Sequence, residues 1–151
     1  MRALGVNLAA GRAYLTVVDA PDTIVAIDTE YLEYPDIYDG IERFKRFYDD
    51  TSRLITTYNI EIVCVLDPET NYDGSFTQLR PRIEAETAIL YAANEEGIVG
   101  IRFTRAKVRS LTGVGSRGKL AELVGDVIQP VGRNWANRGV AALAAIAGLK
   151  E

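Results

Sequence analysis

IEIVCVL, residues 60–66, is an apolar run broken only by Glu61, and it directly follows a helical pattern. A strand buried on both faces reads this way, and such strands belong to parallel sheets with helices on either side. The helix in front is read from Ile41, Phe44, Phe47, Tyr48, Leu54, Ile55 and Tyr58, which recur at helical spacing. That spacing predicts a helix over 40–58, with Asp39 and Glu42 resembling a capping box at its start. Asp67-Pro68-Glu69 ends the apolar run.

Outward from this unit, RALGVNL (2–8), AYLTVVD (13–19) and TIVAIDTEYL (23–32) read as three strands of an antiparallel meander. The turn 9–12 joins the first two, and Pro21-Asp22 the next pair. Downstream, a polar loop over 70–77 with Gly74 leads into a long helix that Gly97 stops. Pro81 sits either in the first turn of that helix or inside it. Ile83, Thr87, Leu90, Tyr91 and Asn94 share one of its faces. Residues 98–103 (IVGIRF) are a further strand, and 105–112 a short helix or loop. TGVGSRGK (112–119) is a glycine-rich loop, 120–128 a helix ended by Pro130, and 136–149 an alanine-rich last helix. The expected architecture is one α/β domain over 1–151. Its mixed five-stranded sheet has three antiparallel then two parallel strands, flanked by helices.

Composition narrows the chemistry. The chain has 151 residues, 48% of them hydrophobic and 25% charged, as in an ordinary globular protein. It contains no histidine, which removes Ser-His-Asp and Cys-His pairs and most zinc sites. Its single cysteine, Cys64, rules out an internal disulfide and reads as an inert core thiol. No apolar run approaches the ~20 residues that span a bilayer, so no membrane is expected and a cytoplasmic protein is the default.

The net charge of −4 is unevenly spread. Residues 1–79 carry six Lys/Arg against fourteen Asp/Glu, a balance of −8, and residues 80–151 carry +4. Between Glu96 and Glu122 no acid interrupts Arg102, Arg105, Lys107, Arg109, Arg117 and Lys119. Such a block on one face attracts phosphate, although a solvated basic helix and loop reads the same way. The acidic balance overall argues against a strong nonspecific duplex binder.

The element order and several strings resemble the RuvC family, the Holliday-junction resolvases of the ribonuclease-H-like fold. LGVNLAAGR (4–12) is similar to that family's first strand and turn, G-[I/L]-D-P-G. TAILYAANEEGI (87–98) is similar to its long helix and following strand, and AALAAIAGL (141–149) to its last helix. VRSLTGVGSRGKLAELV (108–124) carries the most specific match, to V-K-x-x-x-T-G-x-G-x-A-x-K-x-x-V. The resemblance implies a magnesium-dependent nuclease that acts on branched DNA as a homodimer. Such chemistry uses two hard cations about 3.5–4 Å apart, held by converging carboxylates. The family draws one acid from the first strand, one from the end of the central strand and two from the start of the last helix.

Here those positions fall on Asn7, Leu66, Arg138 and Ala141. Asn7 offers a neutral oxygen, and Arg138 is expected to bring positive charge toward any cation. Asp67, one residue beyond Leu66, lies where the chain can turn back toward the site. Asp19, Glu69, Glu84, Glu86 and Asp126 are further carboxylates, each also readable as an ordinary surface acid, with Glu86 the strongest. Glu84 and Glu86 are two apart on a helix and do not form a pair.

Three other features have two readings each. TGVGSRGK lacks the hydroxyl of a nucleotide-binding P-loop, because Leu120 follows Lys119. It reads as a backbone nest with Arg117 and Lys119 on a nucleic-acid phosphate, or as a plain turn before a helix. Trp135 either stacks on a base or packs against the sheet. Tyr31, Tyr34 and Tyr38, flanked by Glu30, Glu33 and Asp36, have few bases nearby and suit a protein interface or a self-packed loop.

The expected function is a nuclease-deficient RuvC-like protein that binds structured nucleic acid through Arg105, Lys107, Arg109, Arg117 and Lys119, or binds a protein partner. It would be a homodimer and need no cofactor. The alternative is an active endonuclease on branched DNA. It would use magnesium or manganese on a relocated set such as Asp67, Glu69 and Glu86, with Asn7 assisting. An actin-like nucleotide-binding half is a third reading, which requires a second lobe.

Overall fold

A computed structural model describes residues 1–9, 11–33, 40–68 and 75–151. Asp39 of the capping box, Tyr34, Asp36 and Tyr38 of the tyrosine cluster, Glu69 and Gly74 lie outside the described residues.

Strand β1 (Arg2–Ala9) is the spine of the sheet. It pairs antiparallel with β2 (Arg12–Asp19) on one side and parallel with β5 (Ile62–Leu66) on the other. The short strands β3 (Thr23–Val25) and β4 (Tyr31–Glu33) both pair with β2, at opposite ends of it. Strand β6 (Val99–Phe103) runs parallel to β5 at the far edge. The path β3-β2-β1-β5-β6, with β4 beside β2, matches the expected mixed sheet.

The third strand is a correction to the sequence reading. Residues 23–32 form two short strands, not one. Between them the Asp28 amide donates to the Tyr58 hydroxyl at 2.8 Å, and Arg53 binds the Asp28 carboxylate at 3.1 Å. Those partners on the first helix draw the chain out of the ladder. The Tyr58 hydroxyl and Arg53 also hold the Asp28 carboxyl below its usual range.

Two apolar layers cover the sheet. Helices α1 (Gly40–Tyr58) and α2 (Phe76–Glu95) pack on Leu4, Val6, Leu15, Val17, Val63 and Val65. Helix α2 carries Pro81 inside it, so it starts well before the proline. It buries Ala85, Ala88, Ile89, Ala92 and Ala93, while Ile83 and Tyr91 are 54% and 46% exposed. The face identified from the sequence is therefore the outward one.

The other layer holds α3 (Arg105–Thr112), the short α4 (Leu120–Leu123) and α5 (Trp135–Lys150). The helix expected over 120–128 shortens to α4 plus one tight turn over Val124–Asp126. Helix α5 is buried continuously from Arg138 to Gly148. Its small residues let it lie directly on the sheet. A Cβ on Gly5 would overlap the Ala141 carbonyl oxygen, and one on Gly148 would overlap Cys64 Sγ. Burial pushes the Cys64 thiol up to about 12, so it is inert. Trp135 packs partly buried against this layer. No helix among the described residues is long and apolar enough to cross a membrane.

Candidate functional site

The carboxyl end of β1 meets the first turns of α5, while β5 packs against the last turn of that helix at Gly148. Asn7 is buried and its side-chain amide donates to the Asn137 carbonyl at 3.2 Å. Leu66 lies one step beyond the Val6–Val65 pairing, beside Asn7, fully buried in the α5 layer. Ala141 lies over Gly5, one turn further along α5. The sequence positions Asn7 and Leu66 thus stand side by side, and the Ala141 backbone lies against Gly5, two residues before Asn7.

Arg138 does not behave as expected. Its Nε donates to the Leu15 carbonyl at 3.1 Å, and its Nη1 reaches Glu30 Oε1 at 3.3 Å and the Val131 carbonyl at 3.5 Å. Its own carbonyl accepts from Thr16 Oγ1 at 2.7 Å. The guanidinium is engaged by β2 and the loop before α5, where it ties three segments together.

These residues do not fit a pair of hard cations, which take oxygen ligands. The Asn7 nitrogen faces a carbonyl, Leu66 and Ala141 offer nothing, and the close Gly5–Ala141 approach leaves α5 seated on β1. Among the described residues no group of three or more His, Cys, Asp or Glu is placed to hold a metal ion.

The remaining acids are dispersed. Glu86 is buried on α2, in the layer opposite Asn7. Its two oxygens meet Arg82 Nε at 3.1 Å and Arg102 Nη1 at 3.2 Å. Arg82 in turn donates to the carbonyls of Leu8 at 2.6 Å and Leu66 at 3.4 Å, at the ends of both central strands. Burial raises the Glu86 carboxyl above its ordinary value, against the pull of both arginines, and the charge of Asp67 adds to the rise. Glu86 thus sits among guanidinium groups, and Arg82 links it to the strand end that Asp67 follows. Asp19 pairs with Arg2 at the opposite end of β2, and Glu84 pairs with Arg80 and Arg43. Asp126 is exposed in the turn after α4.

The basic block runs from the end of β6 through α3 into the loop 113–119. Thr104 caps α3 by accepting from the Lys107 amide at 3.1 Å. Arg105 Nε donates to the Asp67 carbonyl at 3.2 Å, and the exposed Lys107 is 3.7 Å from Glu151. Arg117 and Lys119 are exposed on the glycine-rich loop. Arg109 differs from these. It donates to the Gly115 and Gly118 carbonyls, closing the loop on α3. Gly113 and Gly118 take left-handed backbone (φ 76° and 83°), which frees the loop to fold back this way.

A group that the sequence reading missed lies on the other side of Asn7. Arg12 is 4.4 Å over the Tyr31 ring, and Tyr31 is 6.0 Å from Tyr14. Arg12 is a base that comes to Tyr31 from the neighbouring strand and not from the adjacent sequence. Only the strand register reveals the contact.

Neither a protein-family model nor a curated protein sequence matches the chain. Solved structures do. A structure of T. thermophilus RuvC in complex with Holliday junction substrate superposes with a TM-score of 0.75 at 17% identity, covering 97% of this chain and 91% of that one. Another Thermus thermophilus RuvC structure gives 0.74 at 18% identity over 97% and 92% of the two chains. The yeast mitochondrial Holliday junction resolvase Ydc2 gives 0.67 at 8% identity, over 98% of this chain and 77% of its own. With its mixed sheet and flanking helices, this chain has the ribonuclease-H-like fold of the RuvC-type resolvases.

Proposed function

We propose that this chain is a nuclease-deficient binder of branched nucleic acid, built on the resolvase fold. The observation that carries the reading is the hydrogen bond from Asn7 to the Asn137 carbonyl. It puts a donor where cation chemistry needs an acceptor and closes α5 onto β1. The binding surface is Arg105, Lys107, Arg117 and Lys119, with Arg109 holding the loop that carries the last two. A solved relative of this fold is bound to a Holliday junction, which supports branched DNA as the ligand class.

A mobility-shift series with a four-way junction and a linear duplex of equal length tests this. The junction is expected to bind more tightly, with affinity falling as salt rises by a slope of about −0.9 per phosphate contacted. No shift of either DNA at low salt would end the nucleic-acid reading and leave a protein-partner role.

The active-endonuclease alternative has one observation in its favour: Arg82, paired with Glu86, also donates to the Leu66 carbonyl, one residue before Asp67. Against it, both Glu86 oxygens are engaged by arginines.

A homodimer is part of the proposal. The outward face of α2 supports it: a two-fold axis at Thr87 would set Ile83 of one copy against Tyr91 of the other. Sedimentation of the wild type and Tyr91→Glu tests this. A wild-type monomer at all concentrations rules it out.

A further inference from the structure

Asn7, Tyr14 and Tyr31 stand directly opposite one another on β1, β2 and β4. Directly paired residues in antiparallel strands point to the same face. One row of side chains therefore runs from the Asn7 cradle to the edge of the sheet, and its outer two members are aromatic. Arg12, two residues before Tyr14 and hence on the same face, lies over the Tyr31 ring with its Cζ 4.4 Å from the centroid. Its Nη2 is 3.1 Å from Glu33 Oε1. The Arg12 side chain stays 38% exposed.

The arrangement has a definite chemistry. Glu33 offsets the charge of Arg12, which makes it a poor phosphate contact. Tyr31 and Glu33 together fix the guanidinium, and an ordered guanidinium with one face on an aromatic ring presents its other face as a flat, polarisable surface. Unstacked bases seek such surfaces, on arginine planes as on aromatic rings. A base already stacked in a duplex cannot reach it. A base released at a branch point can, and the row carries the platform from Asn7 on β1 out to the exposed edge of the sheet.

We propose that Arg12, backed by Tyr31 and held by Glu33, is a stacking platform for an unpaired nucleobase at the branch point of the bound nucleic acid. This rests on the nucleic-acid reading above and adds to it a ligand class, branched DNA with open bases. The basic loop supplies affinity for any backbone, and the platform supplies the preference for open bases.

The test compares three DNAs of equal length at matched salt: a linear duplex, a fully paired four-way junction, and a junction with two unpaired nucleotides at the crossover. The proteins are wild type, Tyr31→Leu, Tyr31→Phe, Arg12→Gln and Lys119→Gln, with thermal melts to confirm folding. The wild type should bind the open junction most tightly. Tyr31→Leu and Arg12→Gln should lose about 10-fold on the open junction and under about 2-fold on the duplex, a size typical of losing one base stack. Tyr31→Phe, which keeps the ring, should bind as the wild type does. Lys119→Gln should weaken all three DNAs alike. Equal losses on all three for Tyr31→Leu, or no loss on any, would overturn the platform while leaving the nucleic-acid reading in place. If the wild type binds none of the DNAs, both fall.

Discussion

The Asn7 amide donates across 3.2 Å to the carbonyl of Asn137, joining the first strand to the last helix. The two residues are 130 apart in sequence, and the bond gives the buried Asn7 amide its acceptor. A carboxylate at position 7 would face that carbonyl with no proton to share.

Asn7→Asp is therefore expected to destabilise the fold by about 1–3 kcal/mol at neutral pH, the cost of a buried acceptor left unpaired. The sign with pH follows from linkage. Burial raises the new carboxyl above its unfolded value of about 3.9, so the penalty is absent below that value and grows as pH rises through it. Urea unfolding between pH 3.5 and 7, fixed as roughly that window by the unfolded carboxyl value, checks this. A variant as stable as the wild type at neutral pH contradicts it.

Glu86 gives a second pH signature. Its carboxyl is raised in the folded protein, chiefly by burial. In the window between the ordinary value of 4.5 and the raised one, the folded state binds more protons than the unfolded state. Stability at this site therefore rises as pH falls through that window. Glu86→Gln removes this dependence and leaves Arg82 without its carboxylate, at a cost of about 3 kcal/mol at neutral pH. Chemical denaturation of both proteins across the window tests the expectation. Parallel pH curves would refute it.

Arg109 is expected to act on the loop more than on the whole fold. Arg109→Ala frees the Gly115 and Gly118 carbonyls and should raise amide exchange over 113–119 at least several-fold, with a global loss of about 1 kcal/mol. Arg109→Lys should not restore protection, since a single ammonium does not reproduce the guanidinium fork. Unchanged exchange in the loop would show that the two bonds do not shape it.

Gly148 lies against Cys64, and a Cβ there would overlap the sulfur. Gly148→Ala should cost about 1–3 kcal/mol by overpacking. Combined with Cys64→Ala, which removes the sulfur, the total loss should be smaller than the sum of the two single losses. Strict additivity would mean that the helix shifts to make room.

These relationships divide into those the chain announces and those it hides. The helix Gly40–Tyr58 and the strand Ile62–Leu66 follow from periodicity, because each buries a contiguous apolar stripe or run. The α5 contact with Gly5 was legible only as small residues at both places. The break between β3 and β4 was not legible, because it depends on Tyr58 and Arg53 reaching Asp28 across 30 and 25 residues of chain. The positions Asn7, Leu66 and Ala141 were found by motif, and the fold sets Asn7 beside Leu66 and Ala141 against Gly5. What Arg138 and Arg109 do was not readable from position. A long side chain can turn to any of several carbonyls, and tertiary geometry decides which. Arg12 and Tyr31 meet only through the register of β2 and β4.

The most direct test of the central claim is incubation of a labelled four-way junction with excess protein in magnesium and then in manganese, resolved in parallel on native and denaturing gels. A nuclease-deficient binder gives a retarded complex on the native gel and full-length strands on the denaturing gel in both metals. Strand cleavage that persists through purification and disappears in Asp67→Asn or Glu86→Gln would contradict the claim.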